Sequence, residues 1–280
     1  MPRNSESIGL IAGGGKFPLL AADAAKKHGF RVVAVAHMDE TDPLLSDIVD
    51  HLTWVKLGQL GKLINTFKKN DVTEALMAGS INKQRMFGRV APDLKGLALI
   101  SKIAVFHDDS ILKAVAREFS KQGIEIVSST KYLPELIAPE GLLTKRKPSK
   151  SEKEDIQIGW SIAKEMGRMD VGQCVVIKRR TVLALEAIDG TNATILRGGR
   201  LAGGRAVVVK VSKPNQDLRF DVPSVGLETV KQMAQVGASV LALEAGKTLI
   251  FEKENMIDFA DESDISIISM SDRDIGNKQG

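Results

Sequence analysis

The segment IGLIAGGGKFPLLAA, residues 8–22, decides the fold of the first half of the chain. Its apolar start, Ile8 to Ala12, predicts a short buried strand, and the three glycines that follow predict a tight turn. Pro18 stands where the first turn of a helix is expected, a position at which proline is favoured. A strand that passes through a glycine turn into a helix opens a βαβ unit, so the segment predicts a parallel sheet.

The same alternation continues to about residue 137. Apolar segments at residues 31–36, 75–78 and 124–127 predict further strands, and helical patterns lie between them at residues 60–69 and 93–122. We therefore predict an α/β chain whose N-terminal domain, residues 1–137, is built on a parallel sheet.

A polar segment then interrupts this alternation of strands and helices. Residues 138–155, APEGLLTKRKPSKSEKED, are rich in Lys, Glu, Ser and Pro, and we predict an interdomain linker there. Residues 156–280 are predicted to form a distinct mixed α/β C-terminal domain. Its expected strands are residues 173–177, 181–186, 206–211, 239–243, 248–251 and 265–268, with helices at 152–168 and 224–236.

Composition narrows the class of protein. With 43% hydrophobic and 26% charged residues, the 280-residue chain is of ordinary globular type. A net charge of +4 suits an anionic ligand or membrane surface, and is too small and dispersed to indicate nucleic acid. The single cysteine, Cys174, lies in an apolar run, which favours a core position and a reducing compartment. Since the sequence shows neither a signal peptide nor ~20 consecutive apolar residues, we expect a cytoplasmic protein.

Two candidate binding segments follow predicted strands of the first domain. One is the glycine turn, and the other follows the strand at residues 75–78; because parallel strands end at one edge of a sheet, both are expected at that edge. Glycines admit a ligand close to the backbone, and a helix N-terminus favours an anion. The alternatives are a tight turn without a ligand and a solvated loop. The candidate substrate contacts are Ala12, Gly13, Gly14, Gly15, Lys16, Gly79, Ser80 and Asn82.

A third group of candidates lies in the second domain. Asp221 precedes Pro223 and the expected helix, so it could cap that helix, hold a metal ion or polarise a water molecule. Two lysines could neutralise phosphate or could be solvated edge charges. The candidate substrate contacts here are Gln173, Glu186, Thr191, Lys210 and Lys213. The four histidines lack the spacing of a zinc site.

Taken in order, the motifs resemble those of LpxI-type UDP-2,3-diacylglucosamine pyrophosphatases over nearly the whole chain. The matching stretches are GLIAGGG at 9–15, AGS at 78–80, DDSIL at 108–112, GRMDVGQ at 167–173, ALEAIDGT at 184–191 and DVPSVG at 221–226. No single motif is very specific, and the ordered set carries the resemblance.

The resemblance implies a bacterial enzyme of lipid A biosynthesis that converts UDP-2,3-diacylglucosamine to UMP and 2,3-diacylglucosamine 1-phosphate (lipid X). It implies a Rossmann-like N-terminal domain, a distinct C-terminal domain with substrate held between them, and a divalent cation, typically Mg²⁺. It places the catalytic aspartate at Asp221, where the side chain would orient a metal ion or a water molecule, and substrate contacts at Gln173 and Thr191.

A lipid-linked UDP-sugar substrate also implies peripheral contact with the cytoplasmic face of the inner membrane, for which the basic segment Lys145-Arg146-Lys147 is the candidate. The sequence leaves a homodimer open. Two other functions stay open as well: a nucleotide-sugar oxidoreductase, disfavoured by the missing G-x-G-x-x-G pattern, and a non-enzymatic protein that binds a phosphorylated ligand.

Overall fold

The structure is a computed structural model that describes residues 6–81, 91–100, 108–214, 216–220 and 222–276. The chain forms two compact units. The first comprises Met1–Pro134 and Asp217–Phe220, and the second comprises Glu135–Gln216 and Asp221–Gly280.

The first unit contains a five-stranded sheet in the order β3-β2-β1-β4-β5, and every strand pair in it is parallel. This is a doubly wound order, in which the direction of winding reverses between β1 and β4. The predicted parallel sheet is confirmed. Its elements are β1 (Ser7–Ala12), α1 (Phe17–Lys27), β2 (Arg31–His37), β3 (His51–Val55), α2 (Leu60–Lys69), β4 (Glu74–Ala78), α3 (Leu94–Ile100), α4 (Asp108–Ser120) and β5 (Glu125–Val127).

Small and apolar side chains explain how α1 and α2 cover this sheet. Pro18 occupies the first turn of α1. Lys26 and Lys27 occupy its last turn, where their positive charges interact favourably with the negative end of the helix dipole. Phe67 of α2 and Phe119 of α4 are fully buried, with ring centroids 6.0 Å apart. Both rings belong to one apolar core cluster that also includes residues of all five strands.

The second unit contains a six-stranded mixed sheet in the order β6-β13-β11-β9-β7-β8, and a parallel pair, β10 and β12. The predicted mixed α/β class is confirmed. Its elements are β6 (Gly141–Leu142), α5 (Lys150–Arg168), β7 (Cys174–Lys178), β8 (Thr181–Leu185), α6 (Gly190–Ala202), β9 (Val207–Lys210), β10 (Ser224–Val225), α7 (Leu227–Gln235), β11 (Val240–Glu244), β12 (Leu249–Ile250), α8 (Lys253–Glu262), β13 (Ser266–Met270) and α9 (Asp272–Gly276).

Both faces of the six-stranded sheet are buried. Val175 and Ile177 of β7 pack with α5 on one face, whereas Val176 packs on the other face with α6 and α7. Burial on both faces explains why β7, β9 and β11 are almost continuously apolar in sequence.

The predicted linker at residues 138–155 is wrong. β6 pairs with β13 in the large sheet, and α5 already begins at Lys150. Ser149 caps α5: its hydroxyl accepts a hydrogen bond from the Glu152 N–H (3.3 Å), and the Glu152 carboxylate accepts one from the Ser149 N–H (2.8 Å). The polar composition of this segment therefore reflects a capping box and the exposed side of a helix.

The predicted helix at residues 224–236 begins later than expected. Ser224 and Val225 form β10, and α7 starts at Leu227 with Gly226 as its N-cap. Asp221 lies five residues before that cap in sequence, so the helix-capping alternative for Asp221 is excluded.

Candidate functional site

Four of the predicted site residues of the second unit lie together at one edge of its sheet. Lys210 ends β9, Gln173 immediately precedes β7, and Glu186 immediately follows β8. Because β7 runs antiparallel to both β8 and β9, its start lies beside their ends. Thr191, in the first turn of α6, completes the group.

These residues form a directed chain of hydrogen bonds. Lys210 Nζ donates to Thr191 Oγ1 (2.9 Å), Thr191 Oγ1 donates to Glu186 Oε1 (2.7 Å), and the Gln173 N–H donates to Glu186 Oε2 (3.1 Å). An ammonium group only donates and a carboxylate only accepts, so the direction of the Thr191 hydroxyl is fixed. We call Gln173, Glu186, Thr191 and Lys210 the edge cluster.

The two charged residues of the edge cluster are buried. Only 8% of Glu186 and 6% of Lys210 is exposed. Lys210 Nζ also donates to the carbonyl of Ser224 in β10 (2.8 Å). Buried charged groups need hydrogen-bond partners, and the Thr191 hydroxyl, which lies between Lys210 and Glu186, and the Ser224 carbonyl supply them.

One polar atom of the edge cluster, on the Gln173 side chain, has no hydrogen-bond partner among the described residues. This atom, Oε1, is buried. A buried acceptor without a protein partner favours a donor from a ligand or from water. This matches the prediction of Gln173 as a substrate contact without testing it.

A second buried carboxylate, missed by the sequence analysis, lies at the same edge of the sheet. Glu244 ends β11 and accepts hydrogen bonds from Lys164 Nζ (2.7 Å), Lys247 Nζ (2.8 Å) and the Ser212 N–H (2.7 Å). It therefore anchors the chain just after Lys210. A glutamate at the end of an apolar strand was the only available signal.

Lys213 does not join the edge cluster. Its Nζ forms an ion pair with Asp170 (2.5 Å), and its N–H donates to Gln216 Oε1 (2.9 Å). Lys213 therefore carries its positive charge on the loop that follows β9, and its role as a phosphate contact stays a prediction.

Cys174 is fully buried, as expected from its apolar run. Burial, together with the nearby Glu186 carboxylate, raises the pKa of the Cys174 thiol. A thiol that stays protonated is a poor nucleophile, so Cys174 belongs to the core.

In the first unit, the glycine turn joins the ends of β1 and β4. The Gly13 N–H donates to the Ala78 carbonyl (2.8 Å), and Gly14 and Ser80 exchange two backbone hydrogen bonds (2.7 and 3.2 Å). A Cβ atom on Gly13 would lie 2.6 Å from the Ser80 carbonyl oxygen. These glycines are thus required for close approach of two strand ends, at the point where the sheet order reverses.

Two side chains hold the last carbonyl of β1. The Ala12 oxygen accepts from Thr41 Oγ1 (2.7 Å) and from His37 Nδ1 (3.0 Å). Burial lowers the pKa of the His37 imidazole, which favours the neutral ring with its proton on Nδ1. Neither residue was a predicted site residue, because their signal is weak: one polar residue ends β2 and the other follows four positions later.

Other predicted site residues are placed or left open as follows. Asn82 and Asp221 lie outside the described residues. Gly79, with a φ of +89°, packs against the backbone of the glycine turn, and Gly15 has a φ of +85°. Substrate contacts at Ala12, Gly13, Gly14, Gly15, Lys16, Gly79 and Ser80 stay predictions.

A dedicated metal site is not evident in the part of the chain that the structure describes. No three His, Cys, Asp or Glu residues of that part are grouped so that they could hold a metal ion. Mg²⁺ as a cofactor stays a prediction.

The structure exposes only two of the three basic residues predicted to face a membrane at residues 145–147. Lys145 is exposed, but Arg146 turns inward, where it donates to both oxygens of Glu152 (2.7 and 2.9 Å) and to the Ser239 carbonyl (3.0 Å). Only Lys145 and Lys147 are exposed at this segment. Among the described helices, none combines the length and apolar character needed to cross a membrane.

Comparisons with known proteins define the class. The family model for the LpxI N-terminal domain matches residues 7–136, and that for the LpxI C-terminal domain matches residues 139–268. These are the two halves that the sheets define, a doubly wound α/β half followed by a mixed α/β half. The chain belongs to the LpxI family.

A curated relative supports this assignment. The UDP-2,3-diacylglucosamine pyrophosphatase LpxI of Caulobacter vibrioides is 30% identical over 274 residues, which cover 94% of this chain and 97% of the relative.

Likenesses to solved structures are weak. The biotin carboxylase domain of Hydrogenobacter thermophilus 2-oxoglutarate carboxylase has a TM-score of 0.27 and 13% identity, covering 64% of this chain and 36% of that one. The structure of gox2253 has a TM-score of 0.31 and 9% identity, covering 96% and 91%. TM-scores this low carry no argument about fold or function.

Proposed function

We propose that the chain hydrolyses the pyrophosphate bond of UDP-2,3-diacylglucosamine, giving UMP and 2,3-diacylglucosamine 1-phosphate. The observation that carries this proposal is the match to both LpxI domains, together with a relative of that activity over 94% of the chain. The reaction belongs to lipid A biosynthesis.

We assign the catalytic role to Asp221, which the resemblance places at the family's essential aspartate. It stands three residues before Ser224, whose carbonyl is bonded to the edge cluster. An aspartate there would orient the attacking water or hold a divalent cation.

We propose Mg²⁺, or another divalent cation, as the cofactor. Mg²⁺ is commonly held by one or two carboxylates together with substrate phosphates and water, so Asp221 and a pyrophosphate would suffice without a three-residue protein cluster. The bound ion would neutralise charge that develops on the phosphates.

The remaining roles concern substrate binding. The buried Gln173 Oε1 would accept a hydrogen bond from a substrate hydroxyl, and Lys213 would add positive charge for a phosphate. Glu186 is proposed to orient Thr191 rather than to contact the anionic substrate. Its two carboxylate oxygens already accept hydrogen bonds from the Thr191 hydroxyl and from the Gln173 N–H.

Phosphorus NMR tests the proposed reaction. Purified chain with UDP-2,3-diacylglucosamine and Mg²⁺ should convert the two diphosphate signals into two monophosphate signals. Chelation by EDTA should stop the conversion, and excess Mg²⁺ should restore it. A chain that binds the substrate while the diphosphate signals persist would contradict the proposal and favour a non-enzymatic binding protein.

We also propose peripheral contact with the cytoplasmic face of the inner membrane, since the substrate carries two acyl chains. The exposed Lys145 and Lys147 are the candidates for attraction to anionic lipid. Replacing both by alanine should reduce sedimentation with anionic liposomes. Replacing the exposed Lys68 and Lys69 in α2 provides the control with the same change of charge. Equal sedimentation of both variants would dismiss the assignment.

A further inference from the structure

The segment that follows Asp221 is held from two sides. On one side β12 pairs with β10: the Leu249 N–H donates to the Pro223 carbonyl (2.8 Å), and the Phe251 N–H donates to the Val225 carbonyl (2.9 Å). Successive carbonyls of an extended chain point in opposite directions, so the Ser224 carbonyl points away from β12. It accepts its hydrogen bond from Lys210 Nζ (2.8 Å).

We propose that Lys210 is a positioning residue of the hydrolase, which fixes the segment at residues 222–224, next to Asp221 in sequence, through the Ser224 carbonyl. This inference rests on the proposed function. Thr191 and Glu186 hold the Lys210 ammonium, so the edge cluster acts as one support.

The geometry favours this role over a loose surface charge. Lys210 is 94% buried, since 6% of it is exposed, and its stem ends β9 in the middle of the large sheet. Two of the three ammonium protons are committed, one to Thr191 and one to Ser224. Moving the ammonium toward a phosphate would leave the partly buried Ser224 carbonyl without its donor, which costs free energy.

The connection from Ser224 to Asp221 is short and partly rigid. Only two residues separate them, and one is Pro223, whose ring fixes its φ angle. Loss of the Lys210 hydrogen bond is therefore expected to release residues 222–224, which adjoin Asp221 in sequence, and so to slow the reaction. A displacement of about 1 Å can cost on the order of 10²-fold in rate.

Lys210→Met tests the inference, because it keeps much of the stem and removes the charge. Lys178→Met is the matched control: Lys178 Nζ also donates to a backbone carbonyl, that of Ala202 (2.7 Å), but at the far end of β7. With UMP release as the assay, Lys210→Met should lower kcat on the order of 10²-fold with KM changed by less than about threefold. Lys178→Met should leave kcat within about twofold.

Hydrogen exchange gives a readout that does not need turnover. In Lys210→Met, the amides of residues 222 and 224–226 should exchange faster than in the unmodified chain, whereas Lys178→Met should leave them unchanged; Pro223 has no amide proton. If the unmodified chain releases no UMP, the proposed function fails, and exchange at residues 222–226 still decides whether Lys210 holds this segment.

Thr191 provides a second test if Lys210→Met does not fold. Thr191→Val removes the hydroxyl that joins Lys210 to Glu186 and should lower kcat roughly tenfold; Thr191→Ser keeps the hydroxyl and should restore it. The inference would be overturned if Lys210→Met raised KM at unchanged kcat, which indicates a direct phosphate contact. It would also be overturned by unchanged kcat and unchanged exchange.

Discussion

Replacing Gly13 by alanine tests the close contact between the ends of β1 and β4. Gly13 does not adopt a positive φ, so an alanine there is not strained by its backbone conformation. Its Cβ atom would, however, lie 2.6 Å from the Ser80 carbonyl oxygen and 3.0 Å from the Ser80 nitrogen. These are backbone atoms, so they cannot rotate away.

The expected cost follows from the contacts that must shift. Moving Ser80 lengthens the two backbone hydrogen bonds that it exchanges with Gly14, each worth about 1 kcal/mol, and residual overpacking adds about 1 kcal/mol or more. We expect Gly13→Ala to lower the free energy of unfolding of the first unit by about 3 kcal/mol.

Gly15→Ala is the matched control. Gly15 has a φ of +85°, but no atom lies within 4 Å of the Cβ position, so only backbone strain applies. That strain costs about 1 kcal/mol. The two neighbouring substitutions therefore separate a steric cost from a conformational one.

Urea unfolding measures the difference. The chain has two tryptophans, Trp54 in β3 and Trp160 in α5, so a Trp160→Phe background leaves Trp54 to report on the first unit. With an m-value of about 2 kcal/mol/M, Gly13→Ala should unfold at roughly 1 M lower urea than Gly15→Ala. Equal midpoints, or a lower midpoint for Gly15→Ala, would refute the role assigned to Gly13.

The second unit offers two further predictions. Burial would raise the pKa of the Glu152 carboxyl, but hydrogen bonds from Ser239, Ser149 and Arg146 outweigh it and lower the pKa to about 2. Because this folded pKa lies below the ordinary value of 4.5, the stabilisation is complete above pH 4.5 and is lost as the pH falls toward 2. Glu152→Gln should cost about 3 kcal/mol at neutral pH, and urea midpoints of the two chains should converge in acid; a constant difference would contradict this. Cys174 should resist a thiol reagent in the native chain and react in urea, and Cys174→Ala should keep UMP release within a fewfold. Rapid native labelling would place the thiol outside the core.

The sequence predicted those helices and strands that are determined by their own residues and missed others that depend on packing against the rest of the fold. The apolar run, glycine turn and proline at residues 8–18 predicted β1 and α1 correctly. β3 was missed because it is a half-buried edge strand with a mixed polar pattern, HLTWV. α6 was missed because Gly198 and Gly199 argue against a helix, yet a Cβ on Gly198 would lie 2.5 Å from Val176, so glycine allows the helix to pack on β7.

The site was predictable in its residues but not in its connections. The sequence predicted Glu186, Thr191 and Lys210 as site residues on different elements, but only the antiparallel register of β7 brings them together. The partner that gives Lys210 its position is the Ser224 backbone carbonyl, and a backbone atom leaves no signature in sequence. Glu244 was missed for a related reason, since its importance lies in binding the Ser212 N–H.

The most direct test of the account is UMP release by the unmodified chain and by Asp221→Asn, measured side by side with UDP-2,3-diacylglucosamine and Mg²⁺. Asparagine keeps the shape of the side chain and removes its charge, so substrate binding should persist. The account predicts steady UMP release by the unmodified chain and none above background by Asp221→Asn. Near-normal release by the variant would contradict the role of Asp221, and no release by either chain would contradict the proposed activity.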